Sequence, residues 1–365
     1  MKKHQKENGF ILRSTGEDAY FAASNSARGF QSYYSACFDQ ARIGRLYAVK
    51  GGPGTGKSRF LREVAAAGEA KGWQTEYIYC SSDPDSLDGV IFTQPEKEGI
   101  ALLDATAPHV YEPNRPGYRE EIVNLGAFWN GELLRAKGAE IAALNRQKQE
   151  AYRMAYRYLS GYGAFTETRD ELVAPFLRKA AMQAFAEKMM RGLREGREYE
   201  EQIALAQSLG MRGMVVLDTY CSKANTVYFV EDCRGSAPLF LAMLSRLAKE
   251  KKLAVRVSRH PLLPEQIDAL YFPQTGVAFV TFPGGNPQKV HKISMRRFVE
   301  TESMHAIRKE LNFSERMRRA ALEGAILCFD QVRQAHFAVE QIYIRAMDFG
   351  AKESFTKSFC ASLFK

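Results

Sequence analysis

Gly51-Gly52-Pro53-Gly54-Thr55-Gly56-Lys57-Ser58 is a complete G-x-x-x-x-G-K-[ST] string set between an apolar run and a helix-forming one. Arg45 to Val49 predicts a short buried strand and Ser58 to Lys71 a helix, which is the strand-loop-helix setting the string requires. Glycines let consecutive backbone N–H groups turn inward around a phosphate, and the helix N-terminus behind them adds its partial positive charge. In this setting Gly51, Gly52, Pro53, Gly54, Thr55 and Gly56 form the cradle, Lys57 reaches the terminal phosphates and Ser58 is a ligand for Mg2+. No guanine-reading N-K-x-D string occurs, so the expected nucleotide is ATP.

Downstream, Ile100-Ala101-Leu102-Leu103-Asp104 is four apolar residues ending in a carboxylate. A buried strand of this kind carries Asp104 to the sheet edge beside the loop, as a Walker B residue and second Mg2+ partner. Many ATPases of this type place a water-activating Glu directly after that Asp, whereas here the next residue is Ala105. A base has to come from elsewhere, and Asp83, Asp85 and His109 are the candidates near strand ends.

A chain of 365 residues with 45% hydrophobic residues is long for one core, so two domains are the default expectation. Six cysteines with no C-x-x-C pair fit reduced thiols in a cytoplasm. Between Gln5 and Tyr20 there is no apolar run of signal length, and no stretch of 18 consecutive apolar residues occurs, so neither export by this route nor membrane spanning is expected. The net charge of +9 is densest from Lys289 to Arg319, with nine Lys/Arg against four Glu. Aromatics there are few and not interleaved for base stacking, which favours a solvated helix face over a surface for a nucleic-acid or protein partner.

The chain then begins again. Arg212-Gly213-Met214 parallels Arg28-Gly29-Phe30, and Tyr228-Phe229-Val230 parallels Tyr47-Ala48-Val49. Pro264 to Asp268 and Phe272 match Pro84 to Asp88 and Phe92, and Gly276 to Val280 matches Gly99 to Leu103. Matches in the same order and at a nearly constant offset argue for a duplicated domain. The second loop, Asp232 to Leu239, puts Pro238 in the place of Lys57 and Leu239 in that of Ser58, while Thr281 replaces Asp104. It is expected to keep the fold and bind no Mg-nucleotide. Asp88 persists as Asp268 in the disabled copy and so reads as structural.

The expected architecture is α/β: two tandem P-loop NTPase-like three-layer α/β domains, residues 1–200 and 201–365, with a helical-hairpin insert at about 130–196 and a long C-terminal helix. Gln31 to Gln40 reads as a helix. Thr168-Arg169-Asp170-Glu171 reads as a capping box opening the second insert helix, with Tyr152, Tyr156 and Leu159 on the hairpin seam. Met214 to Asp218 imitates a second Walker B strand but lies upstream of its loop.

The loop, Asp83-Pro84-Asp85-Ser86-Leu87-Asp88-Gly89-Val90 and Asp104-Ala105-Thr106-Ala107-Pro108-His109 together resemble a bacterial family of tandem P-loop ATPase-like proteins. His336, Glu340, Tyr343 and Ala346-Met347-Asp348-Phe349 look like that family's closing helix. The resemblance covers most of the chain and implies ATP-dependent activity; members commonly keep a second working loop, from which Asp232 to Leu239 departs. Mg-dependent ATP hydrolysis in the first copy is the leading expectation. The alternatives are phosphoryl transfer to a small acceptor oriented by Asp83-Pro84-Asp85, and nucleotide sensing with negligible turnover.

Overall fold

The computed structural model describes residues 4–7, 10–39, 41–108, 110–193, 195–282, 284 and 290–364. The fold is mixed α/β. The chain opens with β1 (His4–Glu7), β2 (Phe10–Arg13), β3 (Asp18–Phe21), the hairpin β4 (Ala23–Ser26) and β5 (Gly29–Ser32), and the single turn α1 (Tyr34–Cys37). The first half continues through β6 (Ile43–Lys50), α2 (Lys57–Glu69), β7 (Gln74–Tyr79), β8 (Leu87–Thr93), β9 (Gly99–Asp104) and β10 (Glu120–Asn124). Helices α3 (Gly131–Ala136), α4 (Gly138–Val173) and α5 (Lys179–Arg191) follow. The second half runs β11 (Glu200–Ile203), β12 (Gln207–Gly210), β13 (Gly213–Leu217), α6 (Thr219–Lys223), β14 (Thr226–Glu231), α7 (Ser236–Glu250), β15 (Ala254–Arg259), β16 (Ile267–Phe272), β17 (Val277–Val280) and β18 (Val290–Ser294). It closes with α8 (Arg308–Ala346) and α9 (Phe349–Leu363).

Two six-stranded sheets carry the same plan. One has the order β10-β6-β9-β8-β7-β3 and the other β18-β14-β17-β16-β15-β11. The senses agree too: β8 and β16 each run antiparallel to both neighbours, and the other neighbouring pairs are parallel. The sequence repeat is thus a repeat of topology. Gly29 (φ 86°) and Gly213 (φ 83°) supply the same left-handed step at the turns of hairpins β4–β5 and β12–β13. Met214–Leu217 is a strand of a separate four-stranded sheet, β1-β2-β13-β12, and has no place beside either loop. Its counterpart, expected as a helix over Gln31–Gln40, is strand to Ser32 and one helical turn thereafter.

Side chains alternate along each strand, as the period of two demands. Leu46, Ala48, Ala101 and Leu103 point to the same core as Val227, Ala269, Ala278 and Val280 of the other sheet. Tyr47, Val49, Ile100 and Leu102 point outward to α2, and Val230, Leu270 and Phe279 outward to α7. The inner core is therefore common to both sheets, with residues of α1 and α6 embedded in it. The expected pair of separate three-layer domains gives way to one stack in which each sheet has its main helices on the outer side.

The helices obey a two-fold relation. Trp129 bridges Met347 and Leu177 bridges Val299, so that position 129 stands to 299 as 177 stands to 347. Asn130 N donates to Ala346 O as Glu300 N donates to Phe176 O, and Asp348 N to Phe128 O as Arg178 N to Phe298 O. The long helices α4 and α8 lie antiparallel, and the closing helices are exchanged. Phe185 of α5 packs on Phe240 and Phe298 of the second half, while Phe355 of α9 packs on Phe60 and Phe128 of the first. The cut expected at residue 200 marks the sequence repeat but not the packing units.

The expected hairpin within 130–196 is instead the α4–α8 pair. Tyr152 meets Phe329 of α8 with ring centroids 6.0 Å apart, and Tyr156 donates its hydroxyl to Asn25 Oδ1 at 2.7 Å. No cap lies at Thr168. Its hydroxyl donates back to Ala164 O at 3.0 Å inside the helix, which continues until Ala174-Pro175-Phe176 forces a break.

Candidate active site

Strand β6 delivers the chain to Gly51 and α2 takes it away from Lys57, so Gly51 to Gly56 form the connecting loop. Gly54 (φ 72°) and Gly56 (φ 78°) are left-handed, conformations that L side chains rarely adopt, and they turn the peptide planes of the loop. The backbone N–H groups of Gly54 to Ser58 find no acceptor among the described residues. Such a row of unsatisfied donors at the start of a 13-residue helix has the geometry that can receive an anion.

Lys57 Nζ donates to the carbonyl oxygens of Gly51 (2.8 Å) and Gly52 (3.0 Å) and lies 3.6 Å from Asp104 Oδ2. Asp104 ends β9 opposite Val49 of β6, as its position after an apolar strand implies. Its Oδ1 accepts from Thr106 N (2.9 Å) and Thr106 Oγ1 (2.6 Å), leaving Oδ2 toward the loop. Burial raises the Asp104 pKa, Lys57 opposes that, and Asp88 adds to it. Ser58 Oγ accepts from Leu87 N at 2.9 Å. The lysine, the serine and the carboxylate expected from sequence are therefore gathered at one loop.

Of the base candidates, Asp83 accepts from Ser86 Oγ at 2.8 Å, and Asp85 is paired with Arg212 at 2.8 Å and with Arg13 at 3.5 Å. His109 lies outside the described residues.

Helices α8 and α9 roof the loop. A Cβ at Gly52 would come within 2.7 Å of the Tyr343 ring; at Gly54, within 2.6 Å of Glu340 O and 3.1 Å of Glu340 Cγ; at Gly56, within 3.9 Å of Lys352 Nζ. The approaches at 52 and 54 leave no room for side chains, which is a packing reason for these glycines independent of any ligand. Burial raises the Glu340 pKa and Asp83 adds to it, while Lys57 opposes it. Burial, Lys148 and Lys57 lower that of His336, against Asp83. Glu340, His336 and Lys352 thus join the site from far along the chain. Only their place in the resembled closing helix marked the first two in sequence, and nothing marked Lys352.

The second loop differs by construction. Gly235 (φ 84°) caps α7 as Gly56 caps α2, which puts Ser236 in the place of Lys57 and Ala237 in that of Ser58. This loop is shorter by two, so the sequence alignment of Pro238 with Lys57 is displaced by two positions. Asp232 fills this loop with the chain's own carboxylate: Oδ2 accepts from Gly235 N (2.9 Å) and Oδ1 from Ala237 N (2.8 Å). Phe229 pairs with Val280 as Ala48 pairs with Leu103, so Thr281 does stand where Asp104 stands. Arg234 and Arg259 line a cavity of about 260 Å³ at the second loop with Asp170, Pro238 and Leu239.

Two basic residues of the 289–319 stretch are engaged within the fold. Lys292 pairs with Glu231 at 2.5 Å, and Arg318 is held by Glu315, Tyr162 and Thr166. Lys289 lies outside the described residues. Among the described residues no helix is long and apolar enough to cross a membrane, and no group of three or more His, Cys, Asp or Glu could hold a metal ion. No protein-family model, curated protein or solved structure matches the chain.

Proposed function

We propose that the chain is a P-loop nucleoside triphosphatase that binds Mg-ATP at one working site, the loop Gly51–Ser58, and hydrolyses it. The single observation that carries this reading is the contrast between the two loops: the first presents unsatisfied N–H groups with Lys57 and Asp104 beside them, and the second has its N–H groups capped by Asp232. An anion cradle kept open in one copy and filled in the other implies a ligand in the first. The donor set fits Mg2+ held jointly with phosphate oxygens: one hydroxyl at Ser58 and one carboxylate at Asp104 are too few for an all-protein metal cage, but suit an ion that keeps its waters and the nucleotide's oxygens. When bound, that ion would neutralise charge developing on the phosphates.

The chain's own part is positional and electrostatic. Lys57 exchanges its contacts to the Gly51 and Gly52 carbonyls for phosphate oxygens, the Gly54 to Ser58 amides hold the β-phosphate, and the roof of α8 restricts water around the site. The test is calorimetric titration with Mg-ATP together with steady-state ADP release, for the wild type and for Lys57→Ala. The expected result is one site per chain with turnover, both lost in the variant. Equal binding and turnover in the two proteins would overturn the site assignment.

A further inference from the structure

We propose that Glu340, supplied by the long helix α8 of the opposite half, is the general base that activates water at the first loop. This rests on the Mg-ATP reading above.

Three observations converge. Glu340 is in contact with the loop itself, its Cγ and carbonyl oxygen being among the atoms that a Cβ at Gly54 would strike. The two other carboxylates of the neighbouring turn are engaged, Asp83 by Ser86 and Asp85 by Arg212 and Arg13, whereas the Glu340 carboxylate has no hydrogen-bond or ion-pair partner among the described residues. The position after Asp104 is Ala105, which is buried and carries no base.

The molecule supplies its own control. By the two-fold relation that equates 129 with 299 and 177 with 347, Glu340 of α8 corresponds to Asp170 of α4. Asp170 also roofs a loop: a Cβ at Gly235 would meet Asp170 Oδ1 at 2.6 Å. There the carboxylate is occupied, accepting from Arg169 Nε at 2.8 Å and Nη2 at 2.6 Å. The equivalent of Arg169 in the first site is Val339, which cannot neutralise Glu340. So the carboxylate over the filled loop is paired, and the one over the open loop is not.

The groups facing Glu340 are Lys57 from the loop and Asp83 from the turn after β7, with His336 one helical turn earlier. Burial and Asp83 raise the basicity of the carboxylate against the opposing pull of Lys57, in the direction a general base at neutral pH requires. In the step itself the water oxygen bonds to the γ-phosphorus as its proton passes to Glu340. The bond from that phosphorus to the β,γ-bridging oxygen breaks, and ADP leaves with the electron pair. The proton then returns to solvent with release of inorganic phosphate.

The test compares wild type, Glu340→Gln, Glu340→Asp and the symmetric control Asp170→Asn, each checked for folding by thermal melting. Glu340→Gln should lower kcat by about 10²–10⁴-fold with the Kd for Mg-ATP within about threefold, and should abolish the acid limb of the pH–rate profile. Glu340→Asp should restore part of the rate, and Asp170→Asn should leave it unchanged. Wild-type kcat and an intact acid limb in Glu340→Gln would overturn the assignment while leaving the Mg-ATP reading in place. A wild type that neither binds nor hydrolyses Mg-ATP would overturn that reading first, and this one with it.

Discussion

Lys352 and Met182 occupy the same place in the two halves by the two-fold relation, one on α9 close to Gly56 of the open loop and the other on α5 in the core shared with α7. Met182 is fully buried in an apolar core. Lys352 is 1% exposed, its ammonium has no hydrogen-bond partner among the described residues, and its nearest carboxylate oxygen, on Glu63, is 3.9 Å away. A charge held this way is costly unless something uses it.

Lys352→Met, which installs the other half's residue, should therefore raise stability by about 1–3 kcal/mol in denaturant unfolding. It should also weaken the proposed Mg-ATP binding, because a positive charge close to Gly56 is lost. A variant that melts lower than wild type and binds nucleotide equally well would show that the ammonium serves neither purpose.

Asp104→Asn should lower kcat by roughly 10²-fold while leaving nucleotide affinity within about threefold, because it removes the metal's anionic partner but leaves the amide cradle in place. Turnover within twofold of wild type, measured with Mg2+ saturating, would remove Asp104 from the site.

For the second loop, titration should give one Mg-ATP site per chain. Ser236→Lys combined with Ala237→Ser should still give one, since Asp232 continues to hold the Gly235 and Ala237 amides and Thr281 offers no carboxylate. Asp232→Ala alone should cost about 1 kcal/mol, the value of a lost helix cap. Two equivalent sites in the unmodified chain would contradict the reading of the filled loop.

Asp268 gives a pH signature. It is fully buried, hydrogen-bonded to Gln207 at 2.7 Å, and burial pushes its pKa up to about 7. Because the folded value lies above the unfolded one, its contribution is fully present below about pH 4 and is lost as pH rises toward 7. Asp268→Asn should lack that loss, so the stability difference, variant minus wild type, should climb between pH 4 and 7 by an amount on the order of 4 kcal/mol and then level off. His260, whose pKa is pushed down to about 4 by burial, acts in the opposite direction over the same range and cancels in the difference because both proteins carry it. A flat difference between pH 4 and 8 would count against a buried, titrating Asp268.

Some of these residues carry a local pattern in the sequence and others do not. Lys57, Ser58 and Asp104 were legible because each is fixed by local spacing within one strand-loop-helix unit, and the structure gathers them. Asp88 and Asp268, matched by the repeat, are both buried at equivalent places in β8 and β16, in keeping with a structural part. Glu340 and Lys352 were not legible as loop residues because α8 and α9 bring them to the loop by long-range packing, which leaves no local pattern. The false cap at Thr168 had the right residue types in the wrong setting: a long helix buried along α8 is held by packing, which overrides a local stop signal. The slip of two positions in the second loop arose from matching lengths when the shared landmark is a left-handed glycine, visible only in backbone angles.

The exchange of α5 and α9 also sets the order in which the molecule can mature. During synthesis the first sheet, its loop and α2 emerge early, but the aromatic wall that covers α2, Phe355, Phe359 and Phe364, follows the entire second half in the chain. Folding of domains proceeds from the N-terminus as chain is made. Here a loop made early acquires its α9 cover last, and a chain ending between α8 and α9 would carry the α8 contacts at Gly52 and Gly54 without the α9 contacts at Gly56.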